Sequence, residues 1–352
     1  MKTYRQSLDE LHFTREEKNA MVDRLTAGES RGSGKVRSIR RTVGVAAALL
    51  MTMGVGAAVT LTPAGEVFAS VFGGAPAQTE ILDRMGVPIG ASDTADGVTI
   101  TADAIIGDTY SYAVVYSIAR DDGQPLAEDL TPLGGTDGPL PLTFDQSDTF
   151  IGMLGGSHGT AYFYDADPAD NAIQYVEMMT ADTPIEPGTA TATFQNLYLR
   201  GKDIQDRTLL AEGKWKIRFQ FDFPDSGVSL DAGQTFQLNG MEATLDGVTL
   251  SPLSIQVDYT VWEELVWDHQ DQADGQMGEH DREQSYRFFE SLPVTVNFTD
   301  GTALDLSGNG GGIRPEDGKT VCQKGRVFEE ILDLSTVESV TVGNITLPVE
   351  AE

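Results

Sequence analysis

Residues 43–62, VGVAAALLMTMGVGAAVTLT, run twenty positions without a charge, and no other feature limits so strongly what the chain can fold into. At 1.5 Å per residue a helix of that length spans roughly 30 Å, the thickness of a bilayer's hydrocarbon core. The segment also divides the charge. Residues 1–42 carry ten Lys/Arg and six Asp/Glu, whereas residues 63–352 carry the other fourteen Lys/Arg and forty-eight Asp/Glu. Lys35, Arg37, Arg40 and Arg41 crowd the N-terminal flank, and the first charge on the far side is Glu66. Basic flanks stay cytosolic, so the asymmetry predicts a single-pass protein of the cell membrane with its N-terminus inside and its acidic bulk outside. Two other readings stand beside it. A buried core helix would rarely run twenty residues with no polar face. A cleaved signal peptide finds a small-residue site at Val67-Phe68-Ala69 before Ser70, but forty-two residues are long for a charged tip.

The outer region's acidity, within a formal net charge of -30 for the whole chain, argues against a nucleic-acid partner, because a phosphate backbone would be repelled. One cysteine, Cys322, and four histidines exclude a disulfide scaffold, a CxxC redox motif and a Cys-rich zinc site.

The inner segment has two short helical patterns. Tyr4, Leu8 and Leu11 fall at i, i+4 and i+7; then Thr14-Arg15-Glu16-Glu17 has the form of a capping box, Met21 and Leu25 continue one face, and Gly28 ends it. Forty-two residues cannot bury that stripe internally. Either the segment is a partly ordered tail, or it is a helical hairpin that folds on a cytosolic partner through Leu8, Leu11, Met21 and Leu25. Residues 29–39 read as a flexible linker.

Beyond residue 63 the pattern becomes β. GVTITADAIIGDTYSYAVVYSI, Gly97–Ile118, alternates on either side of a Gly107-Asp108 turn and reads as a hairpin. Further strands are expected at Leu142–Phe144, Ala192–Leu199 and Trp215–Phe223. The hairpin recurs without gaps as GMEATLDGVTLSPLSIQVDYTV, Gly240–Val261, at an offset of 143. Thr101/Thr244, Asp103/Asp246, Ser111/Ser254, Val114/Val257 and Tyr116/Tyr259 are identical. Two later blocks recur in the same order, PLTF from Pro141 beside PVTV from Pro293, and TFQNLYL from Thr193 beside TVGNITL from Thr341. The expected fold is mainly β, with two tandem immunoglobulin-like β-sandwiches at 90–225 and 227–352. A juxtamembrane connector (63–89), one transmembrane helix (43–62) and the short helical head (1–42) precede them.

The head LHFTREEKNAMVDRL, the basic flank, the Ala/Gly-rich span leading into TPAGEVFASVF and the following hairpin together resemble the family called domain of unknown function 4179. The likeness is strongest over residues 1–120. Members are single-pass proteins of low-GC Gram-positive bacteria, commonly encoded beside extracytoplasmic-function sigma factors and often treated as their anti-sigma partners. The resemblance implies a sigma factor bound by residues 1–42, a bilayer around residues 43–62 and an envelope ligand outside. One class of anti-sigma factors binds zinc through HxxxCxxC; this head has His12 and no cysteine, so that motif is not carried over.

Chemical motifs are few, and no cofactor, metal site or enzymatic activity is expected. Ser157-His158 in GGSHG is not GxSxG and reads as a polar turn. His269 and His280 lie among acidic residues in a polar loop that fits no zinc or EF-hand template. DADPADN, with Asp165, Asp167 and Asp170, lacks a calcium loop's glycine and terminal glutamate. Gly308–Ile313, GNGGGI, reads as a flexible turn without the Lys-Ser/Thr of a phosphate loop. Trp262 and Trp267 are either a ligand surface or core and insertion residues, and Cys322 a half-buried small hydrophobe. Two classes of function remain: a transmembrane regulator whose head sequesters a sigma factor, and a cell-surface binding or structural module whose head is only an anchor.

Overall fold

Hairpin turns at Asp96-Gly97 and Asn239-Gly240 set the plan of the fold. All four residues have positive φ (51° and 70°, 51° and 82°), the type I′ geometry whose twist matches that of antiparallel strands. The computed structural model describes residues 61–350 except 129, 136–137, 153–154, 202–205, 225 and 269–276. The head and nearly all of the 43–62 segment lie outside the described residues, and with them Leu8, Leu11, Met21, Leu25, Lys35, Arg37, Arg40 and Arg41. Among the described residues 52% are in strands, so the protein is mainly β, and no helix is long and apolar enough to cross a membrane.

The first turn joins β1 (Gly86–Ala95) to β2 (Val98–Gly107), followed by β3 (Ser111–Arg120), β4 (Leu142–Phe150), β5 (Ser157–Tyr164), β6 (Ile173–Ala181), β7 (Gly188–Arg200) and β8 (Arg207–Phe221). They form an antiparallel sheet of order β1-β2-β3-β6-β5 and a second of order β4-β7-β8. The inward residues of both, among them Ile100, Tyr116, Phe194 and Trp215, make one buried core, so the two sheets are a sandwich. Trp215 is wholly buried because its indole N–H donates to the Val98 carbonyl at 2.9 Å.

The second turn opens the same plan again. After β9 (Val228–Leu230) come β10 (Thr235–Leu238), β11 (Met241–Leu250), β12 (Ser254–Val261), β13 (Val294–Phe298), β14 (Ala303–Asp305), β15 (Gly311–Glu316), β16 (Lys319–Val327), β17 (Val337–Val342) and β18 (Ile345–Pro348). The sheets are β10-β11-β12-β16-β15, with β9 also on β11, and β14-β13-β17-β18. Setting β14 and β9 aside, strand order and connectivity repeat those of the first sandwich. A second core lies between them, around Leu245, Tyr259, Val296 and Val340.

The duplication extends to irregularities. β2 bulges at Asp103 and β11 at Asp246. Each bulged carboxylate accepts a hydroxyl fourteen residues on, Ser117 Oγ at 2.6 Å and Thr260 Oγ1 at 2.7 Å. Each bulge shifts the inward-outward phase of its strand by one residue, which is why both repeats break alternation at the same place. Tyr116 and Tyr259 are both fully buried with their hydroxyls bonded, to Thr149 Oγ1 (2.8 Å) and to the Phe288 carbonyl (3.0 Å).

Several expectations need correction. Residues 63–89 are no plain connector: they fold as α1 (Ala64–Phe72), α2 (Pro76–Met85) and the start of β1. Gly311–Ile313 belong to β15 and Ser157–Gly159 to β5, so each expected turn is one only at its start, at Gly308 and Gly155, and runs on into a strand. Cys322 is fully buried, its thiol pushed up to about 12 by desolvation. The third repeat block is misaligned. Leu142 pairs with Leu199 and Val294 with Val342, so Leu199 corresponds to Val342 rather than to Leu347.

Candidate functional site

The strongest candidate among the described residues is the seam where the two sandwiches meet, because equivalent pieces of the duplicated sequence face each other there. The β2–β3 turn carries Asp108 and Ser111; at the 143-residue offset the β11–β12 turn carries Ser251 and Ser254. Both turns close alike, Asp108 N–H on the Ser111 carbonyl and Ser251 N–H on the Ser254 carbonyl, each at 2.9 Å. Asp108 Oδ1 accepts the backbone N–H groups of Tyr110 (2.9 Å) and Ser111 (2.7 Å). Its Oδ2 accepts the hydroxyls of Ser254, at 2.6 Å, and of Ser251 across the seam. A buried carboxylate is thus satisfied by four donors and no cation, which keeps it compatible with low-dielectric surroundings.

Around this point the contact widens. His158 Nε2 lies 3.0 Å from the Gly325 carbonyl, and Gln323 Nε2 donates both to the Asp182 carbonyl (3.1 Å) and to Asp258 Oδ1 (3.0 Å). Burial raises the Asp258 carboxyl above its ordinary range, against the lowering effect of the Gln323 and Gln256 amides. A Cβ on Gly325 would sit 3.1 Å from Thr180 Cγ2 across the seam and 2.4 Å from the Gln256 amide oxygen beside it, so a larger residue would have to displace both side chains.

The helical pair α1–α2 fills the remaining angle. Pro76 sits at the first position of α2, and Gln78 Oε1 accepts the Ala75 N–H at 3.1 Å, so the chain between Gly73 and Ala75 is a short, fixed connection. Gly65 lets the two helices touch: a Cβ there would meet the Thr79 carbonyl at 2.7 Å, and its N–H donates to Asp83 Oδ1 at 2.6 Å. Phe68, Phe72, Ile81, Leu82 and Met85 pack on the outer face of the first sandwich against Ala104, Ile106, Ala113, Val115 and Val176. Leu253 and Ile331 of the second sandwich complete the same buried cluster, and Ile331 N–H donates to the Phe72 carbonyl at 3.2 Å. Burying two phenylalanines and five aliphatic side chains contributes on the order of 1.5–3 kcal/mol each before entropy is charged against it. The pair is therefore clamped by both sandwiches, and α1 begins two residues after Thr62.

Each sandwich also buries a charged side chain at a corresponding place: Glu177 stands opposite Val114, and Lys324 opposite Val257. Glu177 accepts Tyr112 Oη (3.0 Å) and Thr149 Oγ1 (2.8 Å), and desolvation raises its carboxyl. Lys324 Nζ donates to the carbonyls of Leu292 (2.9 Å), Phe289 (3.2 Å) and Glu290 (3.4 Å), and desolvation lowers its ammonium to about 8. Those carbonyls end a helix α3 (Glu279–Ser285) that runs on into a π-helical turn, Tyr286–Glu290, so the ammonium sits at its negative pole. All three ammonium donors and both carboxylate oxygens are occupied, so these groups have structural partners rather than room for a substrate.

Of the remaining motifs, Asp167 and Asp170 accept the backbone N–H groups of Ala169 and Ala172, as turn residues do, and Trp267 packs against the second core. Among the described residues no group of three or more His, Cys, Asp and Glu side chains is placed to hold a metal ion. Sequence reasoning missed the seam and the helical pair. The signals were Phe68/Phe72 and Leu82/Met85 at helical spacing, Pro76 ahead of them, and the serines shared by the two repeat turns.

No family model matches the chain. No curated protein matches it either. Among solved structures, one described as the conserved domain protein from Bacillus anthracis is similar at 15% identity and a TM-score of 0.45, with 73% of this chain and 76% of that chain covered.

Proposed function

We propose that the protein is a single-pass membrane regulator of the anti-sigma type, related to the domain of unknown function 4179 family. Its two outer sandwiches, immunoglobulin-like in plan, monitor an envelope state, and its inner head holds an extracytoplasmic-function sigma factor. The observation that carries this reading is the clamp: the first ordered element after the uncharged 43–62 segment is seated between both sandwiches instead of hanging from one. A change in the angle of the seam moves Phe68 and Phe72, and with them the start of α1. Segment 43–62 crosses the bilayer, Lys35, Arg37, Arg40 and Arg41 hold its inner end, and Leu8, Leu11, Met21 and Leu25 form the sigma-binding stripe.

Sigma-dependent transcription tests the reading. Leu11→Asp or Leu25→Asp releases the sigma factor, since an unpaired carboxylate is costly in an apolar interface. Leu50→Arg impairs insertion by roughly 2.5–3.5 kcal/mol. Opening the clamp with Phe72→Ala changes the promoter's output while the head stays intact. If neither the Asp substitutions nor deletion of residues 1–38 alters any sigma-dependent promoter, the head is an anchor and the protein a cell-surface module.

A further inference from the structure

The second sandwich carries a surface row that the first lacks. Register places Gln237 opposite Glu242 on the outer face, and Trp262 lies on the far side of Glu242, its N–H on the Glu242 carbonyl at 2.8 Å. Gln237, Glu242 and Trp262 thus stand in one cross-strand line, all exposed, with the indole 51% open to solvent. The Trp262 Nε1–H donates to Thr244 Oγ1 at 2.9 Å, which fixes the ring against the strand. Beside this row a cleft of about 550 Å³ opens between the β10–β11 and β17–β18 hairpins, lined by Gln237, Asn239, Glu242, Ser291 and Asn344 among others.

At the 143-residue offset the first sandwich has Thr94, Thr99 and Ala119 in that row. Its polar groups satisfy one another: Thr94 Oγ1 and Thr99 Oγ1 are 2.7 Å apart, and Thr99 Oγ1 donates to Asp121 Oδ1 at 2.6 Å. One copy of the repeat therefore closes its row, while the other fixes an open indole and points an amide and a carboxylate at water.

We propose that the Trp262 row and its cleft bind a neutral glycan. Amides and a carboxylate are the side chains that hydrogen-bond vicinal hydroxyls, and an immobilised indole offers an apolar plate to the C–H face of a pyranose ring. The cleft is within the size range of small-ligand sites, and the acidity of the outer region works against polyanionic ligands. The site stands apart from the seam and does not depend on the regulatory reading.

Full-length protein in a polyoxyethylene detergent, which carries no sugar, is titrated with N-acetylglucosamine tetramer and with cellotetraose. Trp215 is buried and Trp267 partly so, and a sugar-induced change in tryptophan fluorescence consequently reports chiefly on Trp262. The expected result is saturable binding of at least one oligosaccharide, weakened tenfold or more by Trp262→Ala, several-fold by Glu242→Gln, and little by Trp262→Tyr, which keeps a ring. Thr99→Ala in the first sandwich leaves binding unchanged. Calorimetry gives the same ranking for variants that lack the indole signal. Absence of binding by both sugars at 10 mM (about −2.7 kcal/mol by the affinity relation), equal binding by Trp262→Ala, or binding of a cationic peptide at this row instead of either sugar would overturn the proposal.

Discussion

Glu177 and Lys324 occupy the same place in two copies of one fold, a β6 residue opposite Val114 and a β16 residue opposite Val257, yet they carry opposite charges. The duplicated strands do not choose the sign. What chooses it is the segment laid over that position: in the first sandwich β4 brings the Thr149 hydroxyl, joined by Tyr112, and in the second the π-helical turn brings three carbonyls. Donors surround the carboxylate and acceptors surround the ammonium. The shared framework supplies burial, and the unshared insertion between β12 and β13 supplies polarity.

The harshest way to break that comparison is to exchange the charges. Lys324→Glu sets a carboxylate against three carbonyl oxygens and should cost upwards of ~5 kcal/mol, unfolding the second sandwich. Lys324→Met keeps the volume and costs less, because only the orphaned carbonyls are charged for it. Denaturation followed at Trp262 and Trp267 reads the second sandwich, and Trp215 reads the first when the other two are replaced by phenylalanine. Equal stability of Lys324→Glu and wild type would mean that position 324 is not desolvated.

Truncation of the matched tyrosines comes next. Tyr116→Ala and Tyr259→Ala should each cost about 3–5 kcal/mol, both rings being fully buried. Their Phe variants separate the copies. Tyr116→Phe disturbs Thr149, which serves Glu177, whereas after Tyr259→Phe the Phe288 carbonyl keeps the Cys322 thiol as a donor at 3.8 Å, so Tyr116→Phe should be the more damaging of the two by about 1 kcal/mol.

The two charges also respond to pH in opposite directions. Burial raises the Asp103 carboxyl to about 6, and Glu177 shifts in the same direction. As pH rises from about 4 to 6 the unfolded chain ionises first while the folded state keeps its protons, so this contribution to stability is full below about pH 4 and lost by pH 6. Lys324 is shifted down to about 8. Between pH 8 and about 10.5 the folded state has released its proton and the unfolded state has not, and stability rises through that window. Each effect should reach ~1–3 kcal/mol, read as the pH-dependent difference between wild type and Asp103→Asn or Lys324→Met.

How much of this was legible follows from what each feature depends on. Asp103/Asp246 and Tyr116/Tyr259 could be matched by eye because bulge and buried ring are local to a strand, and both survived duplication. The Asp96-Gly97 and Asn239-Gly240 dipeptides were an equally local signal and were passed over. TFQNLYL and TVGNITL misled because similar letters serve different backbones: β7 runs through a bulge near Asn196, whereas the second copy turns at Gly343 into β18. A buried lysine was not readable, since its partners are main-chain carbonyls whose positions come from a π-helical turn. The seam was hidden because the sequence shows that two turns are alike but not that they touch.

Ser111 and Ser254 give the finest test, being the same residue at the same step of the two repeats. Ser111 Oγ lies 3.1 Å from Thr180 Oγ1, a neutral bond inside the first sandwich. Ser254 Oγ donates across the seam to the Asp108 carboxylate, a charge-assisted bond at 2.6 Å. Ser111→Ala should therefore cost about 0.5–1.5 kcal/mol and leave the seam closed. Ser254→Ala should cost about 1.5–3 kcal/mol, because it leaves a buried carboxylate one donor short. It should also speed hydrogen exchange at the Ile331 N–H, whose acceptor is the Phe72 carbonyl of the clamped helix. Ser111→Ala is not expected to change that amide. If the two variants lose equal stability and neither alters exchange at Ile331, Asp108 does not bind the two sandwiches together, and the seam is a passive contact between independently held domains.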